Sequence, residues 1–126
     1  MFNVVISGEV YLRFICISSL GTKAEIIEAK NLGQNGYKKY SDGMLIQWGK
    51  SSFSGTYKNV YIPVSFYSTD YRVFITFIYN GISIVSACVT QTYISYFNAR
   101  SRGVGTDLIF VDTSEDFNWF AIGRWK

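Results

Sequence analysis

Apolar and polar positions alternate through most of the chain, and the alternation predicts strands. The clearest stretch is residues 71–79, where Tyr71, Val73, Ile75, Phe77 and Tyr79 alternate with Arg72, Phe74, Thr76 and Ile78. A period of two sends successive side chains to opposite faces of a sheet. Residues 44–50 follow the same rule, with Met44, Ile46 and Trp48 on one face and Leu45 and Gln47 on the other. Residues 37–40, 60–66, 82–90, 92–97 and 106–111 give further predicted strands. Turn signals separate them: Ser41-Asp42-Gly43, the polar run 51–56, Asn80-Gly81, a loop at 98–105 and a polar turn at 112–116. Asn80-Gly81 predicts a tight hairpin returning 71–79 into 82–90. Pro63 makes 60–66 an edge strand or a bulge, because proline has no amide hydrogen to give to a ladder.

The stretch 117–126 is apolar on both faces. Phe117, Trp119, Ala121 and Trp125 fall on one side, and Asn118, Phe120, Ile122 and Arg124 on the other. Such a strand belongs at the centre of a sheet, or between a sheet and a neighbouring subunit. Near the start, 2–7 and 10–17 read as two strands. Thr22-Lys23-Ala24-Glu25 has the form of a capping box and predicts one short helix from Lys23 to about Lys30. The composition changes after the loop at 31–36. Residues 36–126 are expected to form the domain proper, and residues 1–35 a connector or shaft remnant.

Ten Tyr, ten Phe and three Trp against a single Pro support an all-β antiparallel sandwich carrying that one helix. A length of 126 residues is enough for one domain with its own core. The net charge is +3 and the basic residues are scattered, which argues against a nucleic-acid partner. No His is present, so the commonest general base and the commonest metal ligand are both missing. No cofactor is implied. Cys16 and Cys88 match no metal spacing and are expected to be two free buried thiols, a disulfide between them being the alternative. The apolar start holds Glu9 and Arg13 inside it, whereas a signal peptide places its basic residue ahead of the apolar core. The apolar run 73–89 is interrupted by Asn80-Gly81 and reads as a hairpin, so no membrane insertion is expected.

Three pieces stand in order along the chain. Asn35-Gly36-Tyr37 leads to Ser41-Asp42-Gly43-Met44-Leu45-Ile46-Gln47-Trp48-Gly49. Next come Ile62-Pro63-Val64-Ser65-Phe66, and then Phe117-Asn118-Trp119-Phe120-Ala121-Ile122-Gly123. Together they resemble the C-terminal domain of phage tail-fibre proteins, over roughly residues 36–126. That family has a glycine turn leading into a Q-W-G strand, an F-P-x-x-F strand and a closing W-x-A-I-G strand. Ile62 departs from the usual Phe, Thr106 and Phe110 match only loosely, and the first 30 residues find no match. The resemblance implies a β-sandwich at the tip of a homotrimeric fibre, joined to the rest of the tail fibre. It implies a place in the virion tail, after synthesis in the bacterial host cytoplasm. The partner it implies is a bacterial surface glycan or lipopolysaccharide, bound for host attachment.

Trp48 and Trp119 sit inside apolar strands and are expected to be core. Gln47, between Ile46 and Trp48, is either a ligand contact or a buried amide bonded to backbone. Polar and aromatic residues expected on loops are the binding candidates: Tyr57, Tyr67, Asp70, Asn98, Arg100 and Arg102. Glycoside cleavage would need two facing carboxylates. Asp70, Asp107, Asp112, Glu115 and Asp116 are available, but most fall in predicted turns, where Asp serves the backbone. The reading is a non-enzymatic receptor-binding domain. The alternatives are a lectin-like module outside a virion and, behind it, a glycan-cleaving enzyme.

Overall fold

The computed structural model describes residues 24–30, 33–111 and 114–126, and every regular element among them is a β-strand. In chain order these are β1 (Ile26–Lys30), β2 (Gly36–Tyr40), β3 (Met44–Ser52), β4 (Tyr57–Tyr61), β5 (Arg72–Ile78), β6 (Ile84–Thr92), β7 (Tyr96–Val104), β8 (Phe110–Val111) and β9 (Asp116–Arg124). They form two antiparallel sheets. One has the order β1-β2-β3-β9-β5, and the other β4-β7-β6, with β8 also on β7. The doubly apolar stretch forms β9, an interior strand of the larger sheet between β3 and the edge strand β5. Met44 pairs with Arg124 on one side of it, and Arg72 with Ile122 on the other.

Alternation decides what enters the space between the sheets. Leu45 and Gln47 point inward from β3, and Phe117, Trp119 and Ala121 from β9; Phe97 and Ala99 face them from β7. Phe97 meets Trp119 edge-on across the gap, with ring centroids 5.7 Å apart. Phe53 closes one end against Phe117 and Phe77. Burying each of these rings contributes about 1.5–3 kcal/mol. The Ser41-Asp42-Gly43 turn forms as expected: Asp42 accepts from the Met44 amide, and Gly43 takes a φ of 98°.

The short segment Ile62 to Phe66 straps the interior. Ile62 and Phe66 are buried, and Val64 lies beside Gln47. The Gln47 side chain donates from Nε2 to the Val64 carbonyl at 2.7 Å and accepts from the Val64 amide at 2.8 Å. Gln47 is therefore the backbone-bonded amide of the two readings. Phe66 stacks on Tyr71, with centroids 4.1 Å apart. The Tyr71 hydroxyl is shared between the carbonyls of Tyr93 and Tyr96, at 2.7 and 2.9 Å. Gly123 passes beneath this stack. A Cβ there would lie 2.6 Å from Tyr71 Cβ and 2.9 Å from the Phe66 ring, so only glycine fits.

Several expectations are corrected. The predicted helix is absent: residues 26–30 form edge strand β1, pairing from Ile26 opposite Tyr40 to Lys30 opposite Tyr37. A lone helix of about eight residues is marginal. Here a ladder was on offer, with Glu28 accepting from the Tyr37 hydroxyl and lying 3.4 Å from Lys39. Thr22 and Lys23, the predicted strands at 2–7 and 10–17, and Cys16 lie outside the described residues.

The strand expected at 60–66 ends at Tyr61, because Pro63 lacks a donor and Val64 bonds a side chain instead of a ladder. Asn80-Gly81 does not make a hairpin. Gly81 has no positive φ, β5 pairs with β9, and β6 pairs with β7 in the other sheet. The chain crosses between sheets there. Of 106–111, only Phe110–Val111 is strand. Trp48 is not core; it lies half-buried on the outer face, its Nε1 donating to the Gly33 carbonyl. Cys88 is an exposed free thiol on the outer face of β6.

Gln47→Leu keeps the volume and strands both Val64 backbone groups. We expect a loss of about 2–4 kcal/mol, read by chemical denaturation. A loss under about 1 kcal/mol would show that ring packing alone holds the strap. Burial pushes the Tyr71 phenol up to about 12. A raised folded value gives stability that is complete below the ordinary pKa near 10 and drains away as pH climbs toward 12. Melting curves should therefore fall more steeply between pH 10 and 12 in the wild type than in Tyr71→Phe, and equal slopes would contradict the assignment.

Candidate functional site

Strand β7 carries the site. Its inward positions, Phe97, Ala99, Ser101 and Gly103, are buried; its outward ones are Tyr96, Asn98, Arg100 and Arg102. On one side β4 sets Tyr61 opposite Tyr96, Asn59 opposite Asn98 and Tyr57 opposite Arg100. On the other, β6 sets Cys88 opposite Arg100 and Ser86 opposite Arg102. Facing positions in adjacent strands share a face. The outer surface of the smaller sheet is thus a ladder of tyrosine, amide and guanidinium rows.

Local contacts hold these rows in place. Tyr61 and Tyr93 flank Tyr96, with centroids 5.2 and 4.4 Å away. Burial in this cluster raises the Tyr96 phenol above its ordinary value, and the neighbouring phenols Tyr93 and Tyr61 add to it. The Asn98 amide donates to the Asn59 side-chain oxygen. The Arg100 guanidinium lies 5.3 Å from the Tyr57 ring centre, and that of Arg102 lies 6.0 Å from the ring centre of Phe110. Among the described residues neither arginine has an ion pair. Arg100 Nε is buried without a hydrogen-bond partner. A shallow depression of 230 Å³ opens here, lined by Ser86, Cys88, Arg100 and Arg102.

Of the six candidates from sequence, four fall on this face: Tyr57, Asn98, Arg100 and Arg102. They lie on strands, not on the loops expected for them. Tyr67 and Asp70 stand apart in the loop before β5, where Tyr67 bonds the Arg124 carbonyl through its amide and Asp70 pairs with Arg72 at 2.8 Å. Sequence reasoning missed Asn59, Tyr61, Tyr96 and Ser86. The signal was available in Tyr57-x-Asn59-x-Tyr61, an outward alternation around Lys58 and Val60.

A second concavity of 480 Å³ lies at the open edge between β3 and β4, with Lys50, Lys58, Asn59, Tyr61 and Trp119 among its lining. Lys50 is held there by Asp116 at 2.9 Å. Three of the five carboxylates considered for glycoside cleavage are engaged locally: Asp107 caps its own turn at Ile109, Asp116 pairs with Lys50 and Asp70 with Arg72. Asp112 lies outside the described residues. Among those described, no cluster of three or more His, Cys, Asp or Glu is placed to hold a metal ion.

Comparison with known proteins follows the same line. Residues 39–124 match the family described as "Putative tail fiber protein gp53-like, C-terminal". No curated protein matches the sequence significantly. Among solved structures, an N-truncated R2-type pyocin tail fiber is similar with a TM-score of 0.57 and 18% identity, over 85% of this chain and 41% of the fiber. A P. aeruginosa R2 pyocin fiber comprising C-terminal residues 323–691 gives the same TM-score and identity over 28% of its length. A P. aeruginosa R1 pyocin fiber gives 0.56 and 15%, over 77% of this chain and 28% of that one. At these identities the likeness is one of fold, and the chain spans less than half of each fiber. With two thirds of its length inside the family match, the chain belongs to the gp53-like tail-fibre C-terminal family.

Proposed function

We propose that this domain is the receptor-binding tip of a phage or pyocin-type tail fibre, acting without catalysis on a bacterial surface glycan. In this reading it is part of the virion tail, made in the bacterial host cytoplasm. Residues 36–126 form the tip domain, and residues 1–35 connect it to the rest of the fibre, with β1 adding an edge strand to the domain's larger sheet. The observation that carries the reading is the outer ladder of β4, β7 and β6. Exposed tyrosines beside amides and guanidinium groups offer a sugar both a ring to stack on and donors for its hydroxyls. Tyr57 and Tyr61 are 64% and 71% exposed, an area no single domain needs to leave in water.

The other outer face supports a homotrimer. Across the larger sheet, Trp48, Phe120 and Phe74 form one apolar row, and Ile46 and Ile122 form the next. Phe74 is 60% exposed and Phe120 37%. Rows of this kind on a central strand suit burial against another copy. Three copies would then present three glycan sites, and multivalency lifts a feeble contact by about a hundredfold or more.

Two outcomes test the reading. Tyr57→Ala and Asn98→Ala should each leave stability within about 0.5 kcal/mol yet weaken attachment of the protein to host bacteria. Full attachment by both variants would remove the ladder from the receptor site. Release of shortened glycan from surface polysaccharide by the wild type would overturn the non-enzymatic claim. Separately, Phe120→Asp should convert a trimer into folded monomers by light scattering, because an unpaired charge in an apolar interface costs several kcal/mol, roughly. A wild type that is already monomeric at micromolar concentration would overturn the trimer.

A further inference from the structure

We propose that the depression between Arg100 and Arg102 binds the anionic group of an acidic surface glycan, a carboxylate or a phosphate; the inference rests on the receptor-binding reading and adds the charge of the ligand. Arg100 and Arg102 stand two residues apart on β7, so their Cα atoms are separated by roughly 7 Å on one face. An oxyanion between them lies within reach of both side chains. Neither has a carboxylate partner among the described residues, although the ion pairs found elsewhere engage Lys30, Lys39, Lys50 and Arg72. Two adjacent unneutralised guanidinium groups are complementary to an anion and repel a cation.

The site is also built to hold its charges still. Tyr57 lies against Arg100 and Phe110 against Arg102, so the guanidinium groups keep less freedom to lose on binding. A planar fork donates two parallel hydrogen bonds to a carboxylate or phosphate, which a lysine in the same place would not do. Ser86, Ala87, Cys88 and Ser101 complete the lining and put no negative charge there. The sugar ring attached to such an anion would lie over the exposed ring of Tyr57.

The test uses the purified full chain with three immobilised polysaccharides. Polygalacturonate carries carboxylates, poly(glycerol phosphate) teichoic acid carries phosphodiesters, and dextran carries neither. Retention on one acidic polymer and not on dextran is expected, and the polymer retained names the anion. Arg100→Gln and Arg102→Gln should each weaken retention about tenfold. Lys30→Gln removes the same charge elsewhere and should stay within about twofold. In a Cys16→Ser background, the retained polymer should slow alkylation of Cys88 by iodoacetamide while dextran leaves it unchanged. No retention on either acidic polymer, equal loss in Lys30→Gln, or unprotected Cys88 would each overturn the site. Attachment to a panel of bacterial strains separates this inference from the one beneath it. If the wild type attaches and both arginine variants attach equally, the anion site falls and receptor binding stands. If the wild type attaches to no strain, receptor binding falls as well.

Discussion

One buried amide sets how the two sheets close on each other. Gln47 points into the interior from β3, where an unbonded polar group would be costly, and returns both of its hydrogen bonds to a single residue, Val64. It acts as a short piece of strand edge for a segment that has left its own sheet. The segment is then seated, and its neighbours follow. Phe66 lies on Tyr71, and the Tyr71 hydroxyl ties down the turn between β6 and β7. The larger sheet therefore reaches the smaller one through a chain of contacts that starts at one side chain. That explains why a polar residue stands in the middle of Leu45-Ile46-Gln47-Trp48, where apolar pattern alone would ask for leucine.

The strands that bury one full face were legible from alternation. Residues 71–79, 44–50 and 117–126 each hold a strand, β5, β3 and β9, and the doubly apolar last one took an interior place in its sheet, between two partners. What alternation could not give was the partner of each strand. Asn80-Gly81 has the composition of a hairpin, yet a strand's neighbours are set by what the whole sheet can bury, and β9 outcompeted β6 for β5. Helix propensity at 23–30 lost for a related reason, since β2 offered a ladder to Ile26 and to residues 28–30.

The face proposed for binding was half legible, and for an instructive reason. Four of its residues were chosen for their chemistry while their backbone was read as loop. The inward positions of β7 after Phe97 are Ala99, Ser101 and Gly103, small enough that the apolar half of the period vanishes. A strand that packs small residues under a polar face has the composition of a turn. Trp48 failed in the opposite direction. Its large apolar ring suggested interior, yet an odd-even count places it with Ile46 on the outward row, while Gln47 goes in. Parity, more than hydrophobicity, decided which side each residue faced.

The position of β9 in the larger sheet governs when this domain becomes a domain. β3 and β5 never touch as partners; each is joined to the other only through β9, which is made after them. A ribosome that has produced β1 through β8 has therefore produced a sheet in which β5 is cut off from β1, β2 and β3. Long-range pairings of this sort are slow because the loop must close before any contact rewards it. Until β9 emerges, the inward faces of β3 and β5 stay open to water and to other nascent chains. Synthesis interrupted before Asp116 yields a product whose larger sheet cannot close, the kind of unfolded chain that cellular proteases remove.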